Sequence, residues 1–258
     1  MEYNALLRKL PIGIQTFEKL RKENYLYVDK TELIWKMAFA SNPYFLSRPR
    51  RFGKSLLLST FEAYFEGKKE LFEGLAIEKM ETEWKKYPVL HLDLNAKKYE
   101  TPADLIAMLN QTLEKWEIVY GNEKKDRSPE ERFAYVIERA YEQAGCGVVV
   151  LVDEYDKPLL QALDNDALLE DYRKTLKAFY GVLKSADRYL RFAFLTGVTK
   201  FSQVSVFSDL NQLNDISLDY SYATVCGITR TELVETFTPE IEEFGRVNLS
   251  LIHISEPT

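Results

Sequence analysis

The feature that most restricts the fold is a run of five apolar residues, Val148–Val152, that ends directly in two acids, Asp153 and Glu154. A continuous apolar run of this length is typical of a strand buried on both faces of a parallel sheet. It is far too short to cross a bilayer, so no membrane partner is expected. Open α/β sheets bind ligands at the carboxyl ends of their strands. The two acids are therefore expected at the edge of the sheet where a ligand binds.

Other short apolar runs alternate with segments that carry helix signals. Strands are predicted at Tyr44–Leu46, Pro88–Leu94 and Leu190–Leu195, and helices at Thr31–Ala40, Ser55–Phe65 and Leu168–Ser185. A hydroxyl cap followed by proline, or by an acid three residues later, marks further helix starts at Thr101, Ser128 and Thr229. Strands that alternate with helices predict an α/β fold in which a mainly parallel sheet lies between two helical layers.

The first predicted strand leads through a basic loop into a helix, with the sequence Arg-Pro-Arg-Arg-Phe-Gly-Lys-Ser at 48–55. The N–H groups of such a loop and the helix N-terminus favour an anion. In the phosphate-binding pattern G-x-x-x-x-G-K-[ST], the lysine reaches the β- and γ-phosphates and the hydroxyl ligates Mg²⁺. Here these residues are Lys54 and Ser55. Arg48 stands where the pattern has its first glycine, and a surface junction with basic residues is the alternative interpretation.

Together the loop and the acids predict a P-loop NTPase sandwich that uses ATP and Mg²⁺. Asp153 is expected to hold Mg²⁺ through water with Ser55, and Glu154 to act as the general base on the attacking water. Thr196, at the end of the strand predicted between the loop strand and the acidic strand, would sense the γ-phosphate, although an ordinary strand end is equally consistent. The predicted nucleotide contacts are Arg50, Arg51, Phe52, Gly53, Lys54, Ser55 and Leu56.

Charge and cysteine content limit the alternatives. The net charge of -6 gives no overall attraction to nucleic acid or to anionic membranes. Cys146 and Cys226 form no CxxC pair, and the histidines do not lie near them, which argues against a zinc site. Reduced thiols and the lack of a secretory signal indicate a cytoplasmic location.

Several segments of the sequence, which include the loop and the acidic pair, also resemble a known protein family. The segments Tyr27–Thr31, Arg48–Leu56, Val152–Pro158 and Thr196–Ser202 resemble the bacterial AAA-ATPase-like family, as do Leu10–Gly13, Phe207–Asn211 and Cys226–Thr229. The resemblance implies that arginine at position 48 is normal in this family. It also implies a P-loop ATPase domain, then a helical lid, and usually a PD-(D/E)XK nuclease-like domain that would bring nucleic acid as a partner.

From this resemblance and the sequence pattern we predict four regions. An N-terminal segment at 1–40 packs on the ATPase core at 41–226, and a truncated helical lid begins at 227–247. The last residues, 248–258, resemble translated sequencing adapter and are expected to be a non-native tail, with an ordinary frayed terminus as the alternative.

Two functions remain open on the sequence alone. The first is Mg²⁺-dependent ATP hydrolysis coupled to a conformational change in a C-terminal domain. The second is a slow or non-hydrolysing nucleotide switch that regulates a nuclease-like partner. The arginine needed at the transition state could be Arg50 or Arg51 of the same chain, or it could come from a neighbouring subunit of a homo-oligomer.

Overall fold

The described part of the chain contains almost all of the predicted core. The computed structural model describes residues 8–40, 42–200, 206–207, 210 and 212–247. The predicted tail at 248–258 lies outside these residues, as do parts of two segments that carry the family resemblance, at 201–202 and at 208, 209 and 211.

A five-stranded sheet forms the centre of the fold. Its strands are β1 (Pro43–Ser47), β2 (Val89–Asp93), β3 (Val148–Asp153), β4 (Leu190–Gly197) and β5 (Asn214–Asp215). The spatial order is β2-β3-β4-β1-β5, and every pairing within the described residues is parallel. The four strands expected from the sequence are confirmed, and β5 is an addition at the edge.

Among the described residues, two helices precede β1, five lie between β1 and β4, and one follows β5. They are α1 (Phe17–Lys22), α2 (Thr31–Ala40), α3 (Lys54–Phe65), α4 (Pro102–Tyr120), α5 (Pro129–Ala144), α6 (Lys157–Gln161), α7 (Asp166–Ser185) and α8 (Arg230–Val247). The predicted capping boxes at Thr101 and Ser128 are present. Thr229 caps α8, because its hydroxyl accepts a hydrogen bond from the N–H of Glu232 at 3.2 Å. Across the described residues, no helix has both the length and the apolar character that a bilayer crossing needs.

Alternating side chains of β3 and β4 face opposite helical layers. Val149 and Phe192 belong to a cluster that includes apolar residues of α1, α2 and α3. Val150 and Ala193 belong to a second cluster with apolar residues of α4, α5 and α7. Every residue of β3 is buried, as its continuous apolar run requires. The fold is therefore the three-layer α/β sandwich predicted from the sequence.

The order of the strands places the motifs side by side. β4 lies between β1 and β3, as predicted, and all three strands run in the same direction. Leu46 is paired with Thr196, and Val152 with Leu195. The carboxyl ends of the three strands consequently share one edge of the sheet, and each continues into a polar segment: the basic loop, the acidic pair and the β4 terminus.

Candidate functional site

The loop between β1 and α3 has a backbone conformation that requires glycine at its end. Gly53 precedes the first residue of α3 and has φ of 89°, in the left-handed region. No atom lies within 4 Å of a Cβ added there. The backbone conformation, rather than crowding, therefore explains the glycine, since L side chains are strained at this φ.

The N-terminus of α3 presents unpaired donors. Among the described residues, nothing accepts a hydrogen bond from the N–H groups of Lys54, Ser55 or Leu56. The first N–H groups of a helix have no partner within the helix and carry the positive end of its dipole. This arrangement suits the oxygens of a phosphate.

Lys54 is held inside the loop rather than extended into solvent. It is buried, and its Nζ donates to the carbonyl oxygen of Arg48 at 3.1 Å and to that of Pro49 at 3.3 Å. Phosphate oxygens are stronger acceptors than these neutral carbonyls because they are charged. The ammonium can exchange one set of acceptors for the other without leaving the loop.

Arg48, at the position where the usual pattern has glycine, hydrogen-bonds the segments on either side of the loop. Its backbone N–H donates to the carbonyl of Gly197 at 3.1 Å, which ties the loop to the end of β4. Its guanidinium donates to the carbonyl of Ser217 at 2.6 Å and to that of Ser47 at 3.0 Å. Arg48 does not have a positive φ, so the backbone conformation at this position does not require glycine. The departure from the pattern is accommodated by turning the side chain toward the segment after β5.

The middle of the loop is exposed. Arg50 and Arg51 are open to solvent, and Arg51 has φ of 67°. Phe52 has 45% of its surface exposed, while its carbonyl accepts a hydrogen bond from the N–H of Gly227 at 3.0 Å. The loop is thus linked at Phe52 to the segment that leads into α8.

The first acid of the pair is joined to Thr196. Asp153 is buried at the end of β3, and its Oδ1 accepts hydrogen bonds from Thr196 Oγ1 at 2.7 Å and from the N–H of Glu154 at 3.0 Å. Thr196 itself is fully buried. Both described bonds use Oδ1, so Oδ2 is the oxygen left to bind a water molecule.

Glu154 has a strained backbone conformation, and charges of both signs lie near its carboxyl group. Its φ of 50° is in the left-handed region, which costs a residue other than glycine about 1 kcal/mol or more. Burial, followed by the nearby charge of Asp153, raises the pKa of Glu154, whereas Lys157, Lys54 and Arg50 act in the opposite direction. The positive charges of Lys54 and Arg50 therefore act on this carboxyl from the basic loop at the same edge of the sheet.

Two other polar residues at the strand ends have local partners. Lys200 forms an ion pair with Asp215 at 2.8 Å, on the β5 side of the site. The side chain of Asp93 accepts a hydrogen bond from the N–H of Asn95 at 2.8 Å and begins a short 3₁₀ turn. Lys200 is therefore engaged with β5.

The residues fit a Mg²⁺ ion that is held largely by its nucleotide. Within the described ranges, no group of three or more His, Cys, Asp and Glu side chains could hold a metal by itself. Mg²⁺ commonly keeps several waters and binds through one or two protein ligands together with substrate phosphates. Ser55 at the start of α3 and Asp153 at the end of β3 would supply this modest donor set.

A separate groove lies at the opposite edge of the sheet. It has a volume of about 40 Å³ and is lined by residues that include Pro43, Leu190 and Leu213. Pro43 and Leu190 begin β1 and β4, so the groove is remote from the carboxyl ends that carry the loop and the acids. Its position does not match the ligand-binding edge of an open α/β sheet.

Two residues of this edge were not assigned a role by sequence reasoning. In the sequence, Arg48 stands out only as a departure from the phosphate-binding pattern, and Asp156 only as part of the family-like segment Val152–Pro158. Asp156 is completely buried and accepts hydrogen bonds from the segment after β4. A third acid two residues beyond the pair was a visible signal, but nothing in the sequence indicates its partners, which lie more than 40 residues away.

Comparison with known proteins gives two matches. The family model described as "Predicted AAA-ATPase" matches residues 11–207. A curated protein of Azotobacter chroococcum mcd 1, described as "Uncharacterized protein in vnfD 5'region", is 42% identical over 240 residues. The alignment covers 93% of this chain and 46% of that protein, so the chain spans less than half the length of this relative. No solved structure matches the chain.

Proposed function

Because the chain belongs to the predicted AAA-ATPase family, we propose that it binds ATP together with Mg²⁺ and hydrolyses it. One observation carries the proposal: β1, β4 and β3 run parallel side by side, so the loop that holds Lys54 and the turn that holds Glu154 lie at the same edge of the sheet. A phosphate chain seated on the α3 N-terminus would lie between a positive group and two acids. That is the arrangement that phosphoryl transfer to water requires.

The loop would bind and neutralise the phosphates. The free N–H groups of α3 and the ammonium of Lys54 offer several donors to the β- and γ-phosphates. Bound Mg²⁺ supplies further charge neutralisation, and Ser55 and Asp153 would hold it. Arg50 and Arg51, which are exposed beside this site, would stabilise negative charge that develops in the transition state.

Glu154 would act on the attacking water. Its raised pKa makes it a stronger proton acceptor than an ordinary glutamate, and its backbone is held between fixed neighbours. Thr196, whose hydroxyl donates a hydrogen bond to Asp153, would lie next to the γ-phosphate. The role of Thr196 as a phosphate sensor is part of the proposal.

Several contacts support coupling of this chemistry to a conformational change. The Phe52 carbonyl in the loop accepts a hydrogen bond from Gly227, three residues before α8. The start of α8 is tied to the N-terminal segment by an ion pair between Lys30 and Glu232. A nucleotide that moves the loop would therefore act on α8 through a short path. We propose that the movement is passed to a part of the protein that lies beyond this chain.

A nucleotide-gated switch is the second candidate, and the same contacts favour it. A protein that holds ATP to fix the position of α8, with slow turnover, would need these links as much as an ATPase does. A nuclease-like domain, and nucleic acid through it, remain proposals that rest on the family resemblance alone. A cytoplasmic location is likewise proposed, and the free thiols of Cys146 and Cys226 are compatible with a reducing compartment.

Phosphate release and nucleotide binding, measured on one sample, separate the two candidates. We expect the purified chain to bind ATP and release phosphate in Mg²⁺, and to lose the release when EDTA is added. Many turnovers per chain support the enzyme. Tight binding with less than one turnover per hour would support the switch, and the absence of binding would contradict both.

Replacement of Glu232 by glutamine tests the link to α8. The amide oxygen of glutamine can still accept from the N–H of Thr229, which Glu232 contacts at 2.8 Å, but the charge opposite Lys30 is lost. We expect ATP affinity to stay within about threefold, since no phosphate contact is removed. The ATP-induced change in hydrogen exchange of α8 should be lost.

Glu235→Gln provides the matched control on the same helix. Glu235 is exposed and has no ion pair within the described residues. This variant should keep the ATP-induced change in α8. An unchanged response in Glu232→Gln would contradict a role of the ion pair with Lys30 in the response of α8.

A further inference from the structure

Asp156 lies at the start of α6, two residues beyond the acidic pair, and is completely buried. Its Oδ2 accepts hydrogen bonds from the N–H of Val198 at 3.1 Å, the N–H of Thr199 at 2.8 Å and the hydroxyl of Thr199 at 2.9 Å. Its Oδ1 lies 3.2 Å from the N–H of Val198. One buried carboxylate thus accepts hydrogen bonds from two consecutive residues of the segment that follows β4.

The charge of Asp156 is satisfied by these neutral donors. Among the described residues, no lysine or arginine forms an ion pair with it. An isolated carboxylate is expensive to bury, and three donors on one oxygen are the usual compensation. Such an arrangement is specific, because an apolar side chain would leave the N–H groups of Val198 and Thr199 without acceptors.

Tyr155 adds a second connection between the same two segments. Its N–H donates to the carbonyl of Thr196 at 2.9 Å, and its hydroxyl donates to the carbonyl of Thr199 at 3.0 Å. A Cβ added at Gly197 would come within 2.4 Å of the Tyr155 ring. The turn after β3 and the end of β4 therefore fit together closely from Thr196 to Thr199.

We propose that Asp156 is a positioning residue, which holds the end of β4 against the acidic turn so that Thr196 stays bonded to Asp153. The bond from Thr196 Oγ1 to Asp153 Oδ1, at 2.7 Å, orients the carboxylate that would hold the metal ion. Glu154 lies between these anchored residues with φ of 50°, so its orientation depends on the same connection. This inference rests on the proposed ATPase function and concerns turnover rather than ATP binding.

The oxygens of Asp156 suggest a variant that separates hydrogen bonding from charge. In Asp156→Asn, an amide oxygen in the place of Oδ2 keeps all three of its hydrogen bonds. Only the bond to Oδ1 at 3.2 Å is lost. If Asp156 acts by positioning, the asparagine variant should retain most of the activity that the alanine variant loses. If its charge takes part directly, both variants should be equally impaired.

The test compares kcat, ATP affinity and folded content in wild type, Asp156→Ala, Asp156→Asn and Thr199→Val. We expect kcat to fall about 100-fold in Asp156→Ala, because a displacement of about 1 Å in a catalytic site has an effect of this size. It should fall less than about tenfold in Asp156→Asn and in Thr199→Val, each of which loses one hydrogen bond. ATP affinity should stay within about threefold in all variants, since Lys54 and the loop are unchanged.

Three outcomes would overturn the inference. They are a wild-type kcat in Asp156→Ala, an equal loss in Asp156→Asn and Asp156→Ala, and a loss of ATP affinity that parallels the loss of folded protein. If the alanine variant does not fold, Thr199→Val keeps the test decisive, because a wild-type kcat in this variant would then overturn the inference. A wild-type chain that neither binds nor hydrolyses ATP would contradict the proposed function, and this inference with it. An active wild type with an equally active Asp156→Ala variant would contradict this inference alone.

Discussion

Lys54→Ala is expected to lower the affinity for ATP about 100-fold or more. Lys54 is buried beside the loop, and its ammonium already donates two hydrogen bonds to loop carbonyls that phosphate oxygens would replace. Hydrogen bonds to charged groups contribute about 1.5–3 kcal/mol each, and about 2.7 kcal/mol corresponds to 100-fold in affinity. Calorimetric titration with ATP in Mg²⁺ measures the loss directly.

Lys200→Ala is the matched control for the loss of a positive charge near the site. Lys200 pairs with Asp215 on the β5 side, so its removal should change ATP affinity by about threefold or less. Because Lys54 also bonds the carbonyls of Arg48 and Pro49, circular dichroism should confirm that the alanine variant remains folded. Wild-type affinity in a folded Lys54→Ala variant would contradict the phosphate role of the loop.

Glu154→Gln is expected to bind ATP with nearly wild-type affinity and to lose turnover by about 100- to 10,000-fold, the range for removal of a general base. Glutamine has the shape of glutamate but cannot accept a proton from water. Glutamine replaces glutamate at the same left-handed φ and lies outside the loop, so we expect the loop and the helix N-terminus to be undisturbed. Phosphate release under saturating ATP gives kcat, and titration gives the affinity.

The pH dependence of turnover provides a control for this assignment. Glu154 accepts a proton only as a carboxylate, and burial, followed by Asp153, raises its pKa above the ordinary value. Turnover of the wild type should therefore increase as the pH rises through this elevated pKa, and bound phosphates should raise it further. The residual turnover of Glu154→Gln should lack this increase with pH. Equal rates for the variant and the wild type would remove Glu154 as the base.

Much of the fold could be predicted because local signals agreed with the tertiary structure. The apolar run Val148–Val152 predicts a doubly buried strand, and β3 is buried at every position. The caps at Thr101 and Ser128 lie immediately before the helices that they predict. The alternation of strands and helices is enough to place the loop and the acids on one edge, since parallel strands end on the same side.

Other features depend on contacts that a local pattern does not record. β5 contains only Asn214 and Asp215, which have no strand periodicity and pair with β1 through tertiary contacts. α1 and α6 have six and five residues, too few for a clear helical period. The role of Arg48 depends on a carbonyl 169 residues away, and that of Asp156 on N–H groups 42 and 43 residues away.

A crystal structure of Glu154→Gln with ATP and Mg²⁺ tests the central claim most directly, because this variant should hold the nucleotide without consuming it. We expect the β- and γ-phosphates on the N-terminus of α3, within hydrogen-bond distance of Lys54 Nζ, and the metal ion beside Ser55 and Asp153. A nucleotide bound elsewhere, or a γ-phosphate that lies away from residue 154, would contradict the account.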